Sequence, residues 1–164
     1  MKGNDEVIGA LNNALALELT AINQYFVQAR MCRKWGFHKL AAKQHTESIE
    51  EMRHAESLID RILFLDGTPI AHYETIHGGV DVKDQLEHDL ELELGGVKTY
   101  NDGIEICLKA KDAGSREELE HILMMSEEQV EWLESQLNLI KVVGLDNYLA
   151  DQIGEEQGSS EDQN

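Results

Sequence analysis

One proline, Pro69, and two cysteines, Cys32 and Cys107, are all that this 164-residue chain contains of either type. The scarcity of proline, beside long stretches rich in Ala, Leu, Glu, Gln and Lys, argues against an all-β fold. Two cysteines in a chain this long make neither a disulfide framework nor a zinc-type cluster. They read as buried thiols of a protein kept in a reducing cytoplasm. Basic residues are also few, since 14 Lys and Arg against 32 Asp and Glu leave a formal charge of −18. So acidic a chain repels phosphate, which argues against nucleic acid and against an anionic membrane as partners. No apolar run approaches the ~20 residues of a membrane span, and residues 1–6 lack the apolar segment of a secretory signal. The charge suits a partner that is a cation.

What the chain does have is helical periodicity along most of its length. It predicts a first helix over Asp5–Trp35, stopped by Gly36, and a second over 39–66, stopped by Gly67 and Pro69. A third covers 82–111 and ends before Gly114. Ser115-Arg116-Glu117-Glu118 reads as a capping box that opens a fourth helix reaching Val143, stopped by Gly144. A short amphipathic fifth helix spans 145–153. Residues 68–80, with Gly78-Gly79 and no sustained period, form a long connection. Each main helix has about 30 residues, ~45 Å at 1.5 Å per residue. Two short links and one long one suit an all-α four-helix bundle with a crossover between helices two and three, the connectivity of ferritin-like folds. The heptads are too loose for a long coiled coil. Residues 1–153 are expected to form this bundle, and 154–164, with no apolar residue, a disordered acidic tail.

Each long helix carries an apolar stripe with polar residues near its middle. Helix one reads Leu11, Leu15, Glu18, Ile22, Tyr25, Ala29, and helix three reads Leu86, Leu90, Glu93, Val97, Tyr100, Ile104, Leu108. Helix two reads Glu47, Glu51, His54, Leu58, Ile62, Leu65, and helix four reads Leu119, Ile122, Ser126, Gln129, Leu133, Leu137, Ile140. These interruptions should converge at one level of the bundle. Buried carboxylates repel one another unless paired or metal-bound. With no core Lys or Arg expected at that level, a metal ion is their natural partner. Glu51-x-x-His54 places both side chains on one helical face, and an oxygen and imidazole ligand set without thiolate suits iron, manganese or zinc. A lone Glu-x-x-His is more often a solvated surface pair; three acids, each on a core stripe, shift the balance toward a site. A ferritin-like di-iron centre takes one Glu from each of two helices and Glu-x-x-His from each of the other two. Helix four offers Ser126 and Gln129 instead. Glu127 and Glu128 are each turned about 100° or more off the stripe.

A second apolar stripe on helix two, Ile49, Met52, Ile59 and Leu63, matches Leu19, Ile22, Asn23 and Phe26 on helix one. Two apolar faces on one helix imply that the second meets another subunit. By pattern alone Met52 is interface packing, although a thioether is also a known axial ligand of haem iron. His45 falls one face-repeat from Met52 but reads as exposed. His38, His72, His77, His88 and His121 miss the core stripes and receive no chemistry.

Over about residues 1–153 the chain resembles the bacterioferritins. The stretches that carry the likeness are MKGNDEVIGALN (1–12), LELTAINQYF (17–26), HTESIEEMRHAE (45–56), RILFLDGTP (61–69) and LDNYL (145–149). The resemblance implies a cytoplasmic, hollow shell of 24 subunits that stores ferric mineral, with haem b held between two subunits by one Met from each. It implies Met52 as that haem ligand, Glu18, Glu51, His54 and Glu93 as four ligands of a ferroxidase centre, and Ser126 and Gln129 as positions where the family's last Glu and His are missing. Thr46 stands where the family often has a His for an inner-surface iron site. The chain thus looks like a haem-binding subunit type with a degenerate iron site, able to mix with a second, ferroxidase-competent subunit and to pass electrons from a ferredoxin-type donor. The competing expectation is a working ferroxidase in which Gln129, Glu127 or water fills the gaps. A scaffold subunit without haem is a third.

Overall fold

A computed structural model describes residues 1–154, so the expected tail from residue 155 onward lies outside the described residues. It contains five helices: α1 (Asp5–Trp35), α2 (His38–Phe64), α3 (Val82–Ala110), α4 (Ala113–Val143) and α5 (Leu145–Asp151). No strand occurs among the described residues, and no helix there is long and apolar enough to cross a membrane. Helices α1 and α2 form one antiparallel pair and α3 and α4 the other, with α1 against α3 joining them.

Local chemistry accounts for the helix ends. The Asn4 side-chain oxygen accepts from the backbone N–H of Glu6 at 2.8 Å and of Val7 at 3.3 Å, and Asp5 and Glu6 complement the dipole. Gly36 closes α1 at φ 90°, and the Phe37 N–H bonds to the Cys32 carbonyl at 2.9 Å. The start of α4 departs from the expected capping box. Asp112 is the cap, accepting from the Ser115 N–H at 3.0 Å. Ser115 instead lies fully buried inside the helix, accepting from Arg61 Nε at 2.9 Å, and Glu118 takes a hydrogen bond from Ser57. Gly114 is helical rather than a break. A Cβ there would stand 2.8 Å from the Arg61 guanidinium, which pairs with Asp112 at 2.7 Å.

The crossover between α2 and α3 runs along α1 and is tied to it at intervals. Asn12 binds both the Ile70 N–H (2.9 Å) and the Thr68 carbonyl (3.1 Å). Thr20 Oγ accepts from the Glu74 N–H at 3.0 Å, and Gln24 and Gln28 hold the His77 N–H and carbonyl at 3.0 and 2.8 Å. Residues of α1 thus satisfy the backbone of an extended segment that has no sheet to pair with.

The core is split in two. Val7, Leu11, Leu15, Leu58, Ile62, Leu119 and Ile122 pack at one end, and Cys32, Leu40, Leu86, Leu133, Ile140 and Tyr148 at the other. Between them lies a buried polar level containing Glu18, Glu51, His54, Glu93, Ser126 and Gln129, whereas Glu47, at the end of the α2 stripe, is only half-buried. One stripe assignment needs correcting: Leu108 is 52% exposed, and Cys107 and Gly103 complete the inward face of α3 instead. Both cysteines are free and buried, with burial raising their thiols to about 12 for Cys32 and about 11 for Cys107.

Candidate metal centre

Three of the acid and imidazole groups gather in one half of the polar level. Glu18, Glu51 and His54 each offer a ligand atom within 4.8 Å of the others, and all three are buried. They form the one such metal-capable group among the described residues. His54 Nδ1 lies 3.0 Å from Glu51 Oε2 and 3.3 Å from Glu18 Oε2. The other carboxylate oxygen of Glu18 accepts from the Tyr100 hydroxyl. Burial alone would lower the pKa of His54, but its bonds to Glu18 and Glu51 raise it to about 10. Burial, and then the Glu18 charge, pushes Glu51 well above the usual carboxylate range. His54 Nδ1 thus lies within hydrogen-bond reach of both carboxyl groups and links them.

Glu93 belongs to the other half. The Tyr25 hydroxyl donates to its Oε1 and the Ser126 hydroxyl to its Oε2, both at 2.6 Å. Burial, augmented by the Glu51 charge, raises its pKa to about 8 despite those two donors. Gln129 donates from Nε2 to the Tyr25 oxygen at 3.3 Å and accepts on Oε1 from Lys43 Nζ at 3.2 Å. Lys43 is also bonded to Glu47, and its ammonium lies 4.8 Å from the centre of the Trp132 ring. This corrects the expectation that no Lys or Arg reaches this level. On sequence, Lys43 and Glu47 look like an ordinary i, i+4 surface pair. The α4 residues Gln129 and Trp132 draw the ammonium inward.

By pattern the two tyrosines are only core residues, yet each clamps the glutamate of the opposite helix. Glu18 and Tyr25 on α1, and Glu93 and Tyr100 on α3, share a seven-residue spacing. In antiparallel helices that repeat sets 18 against 100 and 25 against 93. The doubled Glu-x6-Tyr pattern was the signal that could have found them. Next to this centre lies a second buried polar group that sequence reading missed. Gln24 donates to Asp89 at 2.7 Å, Gln44 to Gln28 and Gln85 at 3.3 and 3.2 Å, and the Cys32 thiol to Gln85 at 3.1 Å. Burial raises Asp89 to about 7, against the bonds from Gln24 and Gln28. His121, assigned no chemistry from the sequence, lies edge-on to His54 with ring centres 6.2 Å apart. His77 and His88 stack at 4.3 Å.

On the opposite side of α2, Met52 is 43% exposed and Phe26 of α1 is 52% exposed. Ile22 and Ile49 are half-buried on the same face, while His45 and Thr46 are exposed. Glu127 and Glu128 are exposed and outside the centre.

Comparison with known proteins agrees with this architecture. The family model described as a ferritin-like domain matches residues 8–143. The chain is similar to a bacterial ferritin of Pseudomonas aeruginosa, with 45% identity over 93% of this chain and 100% of the relative. It is also similar to a bacterioferritin of Brucella melitensis, 41% identical over 90% of this chain and 92% of the relative. A bacterioferritin of Mycobacterium tuberculosis is 42% identical over 92% and 95%.

Proposed function

On the premise that this chain belongs to the bacterioferritins of the ferritin-like family, we propose that it is an iron-storage shell subunit that takes haem on Met52 and retains only half of a di-iron oxidation centre. The observation that supports the half-centre most directly is the contrast between the two sides of the polar level. Glu18, Glu51 and His54 hold ligand atoms together. Glu93, Ser126 and Gln129 instead satisfy one another through Tyr25.

Fe²⁺ is the substrate and cargo here. Two carboxylate oxygens and one imidazole nitrogen make a suitable seat for one such ion. Reduction of O₂ to peroxide needs two electrons, and each Fe²⁺ gives one. Efficient oxidation therefore needs a second iron held nearby, and Ser126 supplies no charge to bridge two ions. Binding at the seat requires the His54 proton to leave. The sign follows from the raised pKa: below about pH 10 the imidazole is protonated, so affinity grows with pH. For the metal-free protein, Co²⁺ affinity by calorimetry should rise nearly tenfold per pH unit between pH 7 and 9, the limit for one displaced proton. A flat profile would show that no proton is displaced.

Haem is tested by what the outward face offers. A haem held between subunits requires an accessible thioether in apolar surroundings, and Met52 stands exposed beside Phe26, Ile22 and Ile49. The residues fit. A second copy presenting the same face would bring a second Met52 thioether, and Phe26 with the isoleucines would exclude water. Haem b bound there would supply a one-electron relay from a ferredoxin-type donor toward stored ferric mineral. At −18 per chain, a closed shell of 24 copies would present strong negative potential that concentrates Fe²⁺. An incomplete centre favours co-assembly with a ferroxidase-competent subunit in the cytoplasm.

Stopped-flow mixing of Fe²⁺ with an air-saturated shell made of this chain alone tests the half-centre. Oxidation should be slow and lack a saturable phase at two irons per subunit. A fast phase saturating at that ratio would establish the rival reading of a working ferroxidase.

A further inference from the structure

The Lys43 side chain has no part in the function proposed so far, although it ends the hydrogen-bond chain that fills the second half of the centre. That chain runs from the Lys43 ammonium to Gln129 Oε1 (3.2 Å), from Gln129 Nε2 to the Tyr25 oxygen (3.3 Å), and from the Tyr25 hydroxyl to Glu93 Oε1 (2.6 Å). Ser126 closes it on Glu93 Oε2 at 2.6 Å. Gln129 has one atom with which it could coordinate a metal, its carboxamide oxygen, and the ammonium occupies it. Both oxygens of Glu93 are likewise taken by hydroxyl donors.

We propose that Lys43 is a built-in cation whose ammonium, held by Gln129 and Glu47 beneath the Trp132 ring, takes the electrostatic place of a second divalent metal and keeps the centre monometallic. The proposal rests on the half-centre reading and goes beyond it: missing ligands explain why a second ion binds poorly, whereas Lys43 repels one even where ligands are supplied. Charge accounting agrees. One divalent ion at Glu18, Glu51 and His54 neutralises two carboxylates, and Lys43 neutralises Glu47. Glu93 is left with two hydroxyl donors in place of a metal. A +1 charge bonded to Gln129 and a +2 charge seated beside the same side chains repel, although solvent reaching the part-exposed lysine screens the interaction. Trp132 reinforces the arrangement, since an aromatic face attracts the ammonium and holds it in place. The Lys43 side chain is 32% exposed, so its stem lies along α2 and α4 while its head points to the centre, and replacing it leaves no buried cavity.

The test is Co²⁺ titration of the assembled metal-free shell, read by calorimetric stoichiometry and by the visible bands of bound Co²⁺. The native chain should bind one Co²⁺ per subunit. Ser126→Glu, which keeps Gln129 and its hold on Lys43, supplies a bridging carboxylate, and its second Co²⁺ should bind at least tenfold more weakly than in the same variant carrying Lys43→Met. Lys43→Arg in that background, which keeps the charge, should leave the second ion weak. Lys43→Gln repeats the neutral case with another shape should the methionine variant fail to assemble. Equal second-site affinity with and without the lysine charge overturns the role of Lys43 while leaving the half-centre intact. So does a second ion that is absent in every variant. Two tightly bound Co²⁺ in the native chain would instead overturn the half-centre reading, and Lys43 exclusion with it.

Discussion

Met52→Leu should strip haem from the assembled shell completely, removing the Soret band while shell size and iron content stay unchanged. Leucine matches methionine closely in volume and apolarity, so the contact face survives. What disappears is the sulfur lone pair, and His45, the other potential ligand on this stripe, lies two turns or ~10 Å away along α2, too far to replace it. The residue is exposed in the single chain, so its replacement leaves the bundle core untouched, and subunit stability should change by about 0.5 kcal/mol or less. Visible spectra of the native and variant shells after reconstitution with excess haem provide the measurement. Native-like haem in the leucine variant would remove Met52 from the site. A native shell that takes up none would establish the scaffold reading.

Thermal stability of the metal-free protein should fall steeply as pH rises, opposite to a protein whose carboxylates are stabilised by ion pairs. Asp89 and Glu93 have pKa values raised by burial to about 7 and about 8. A carboxyl that binds its proton more tightly folded than unfolded stabilises the fold at low pH and loses that contribution as pH climbs toward its folded pKa. His54, raised to about 10, contributes fully below its unfolded value near 6.5 and loses the contribution up to about 10. All three therefore act in the same direction between pH 6 and 8. At roughly 1.4 kcal/mol per proton and pH unit, with coupling among neighbours reducing the sum, several kcal/mol are at stake, on the order of 10 °C in Tm. Differential scanning calorimetry in high salt, which screens the general repulsion of an acidic surface, isolates the buried groups. Asp89→Asn retains an oxygen to accept from Gln24 and should flatten the slope and raise Tm at pH 8. Saturating Co²⁺ should flatten the part due to His54. A Tm that is constant or rising from pH 6 to 8 would contradict the protonated, metal-free centre.

The helices were readable because their signals are local. A 3.6-residue period, a single proline and glycines at 36, 67 and 144 punctuate the chain at every helix junction except α3–α4, where Lys111 takes the left-handed turn. The start of α4 was misplaced because Asp112 and Ser115 both match a capping residue. Arg61, distant in sequence, drew Ser115 into the helix and left Asp112 as the cap. The buried level was readable because a charged or polar residue on an apolar stripe faces the core whatever the neighbouring helix supplies. Six such interruptions, Glu18, Glu51, His54, Glu93, Ser126 and Gln129, are all buried.

Sequence alone determined the helices apart from the start of α4, the inward direction of those six side chains and the outward stripe around Met52, because each depends on periodicity within one helix. Which groups meet was decided only by tertiary structure. The antiparallel register of α1 and α3 made Tyr25 and Tyr100 clamps on each other's glutamate partners, and the approach of α4 to α2 turned Lys43 from a surface side chain into part of the centre. Pairings across helices depend on register and on where long, flexible side chains find a partner, and neither is encoded in any single stretch of the chain.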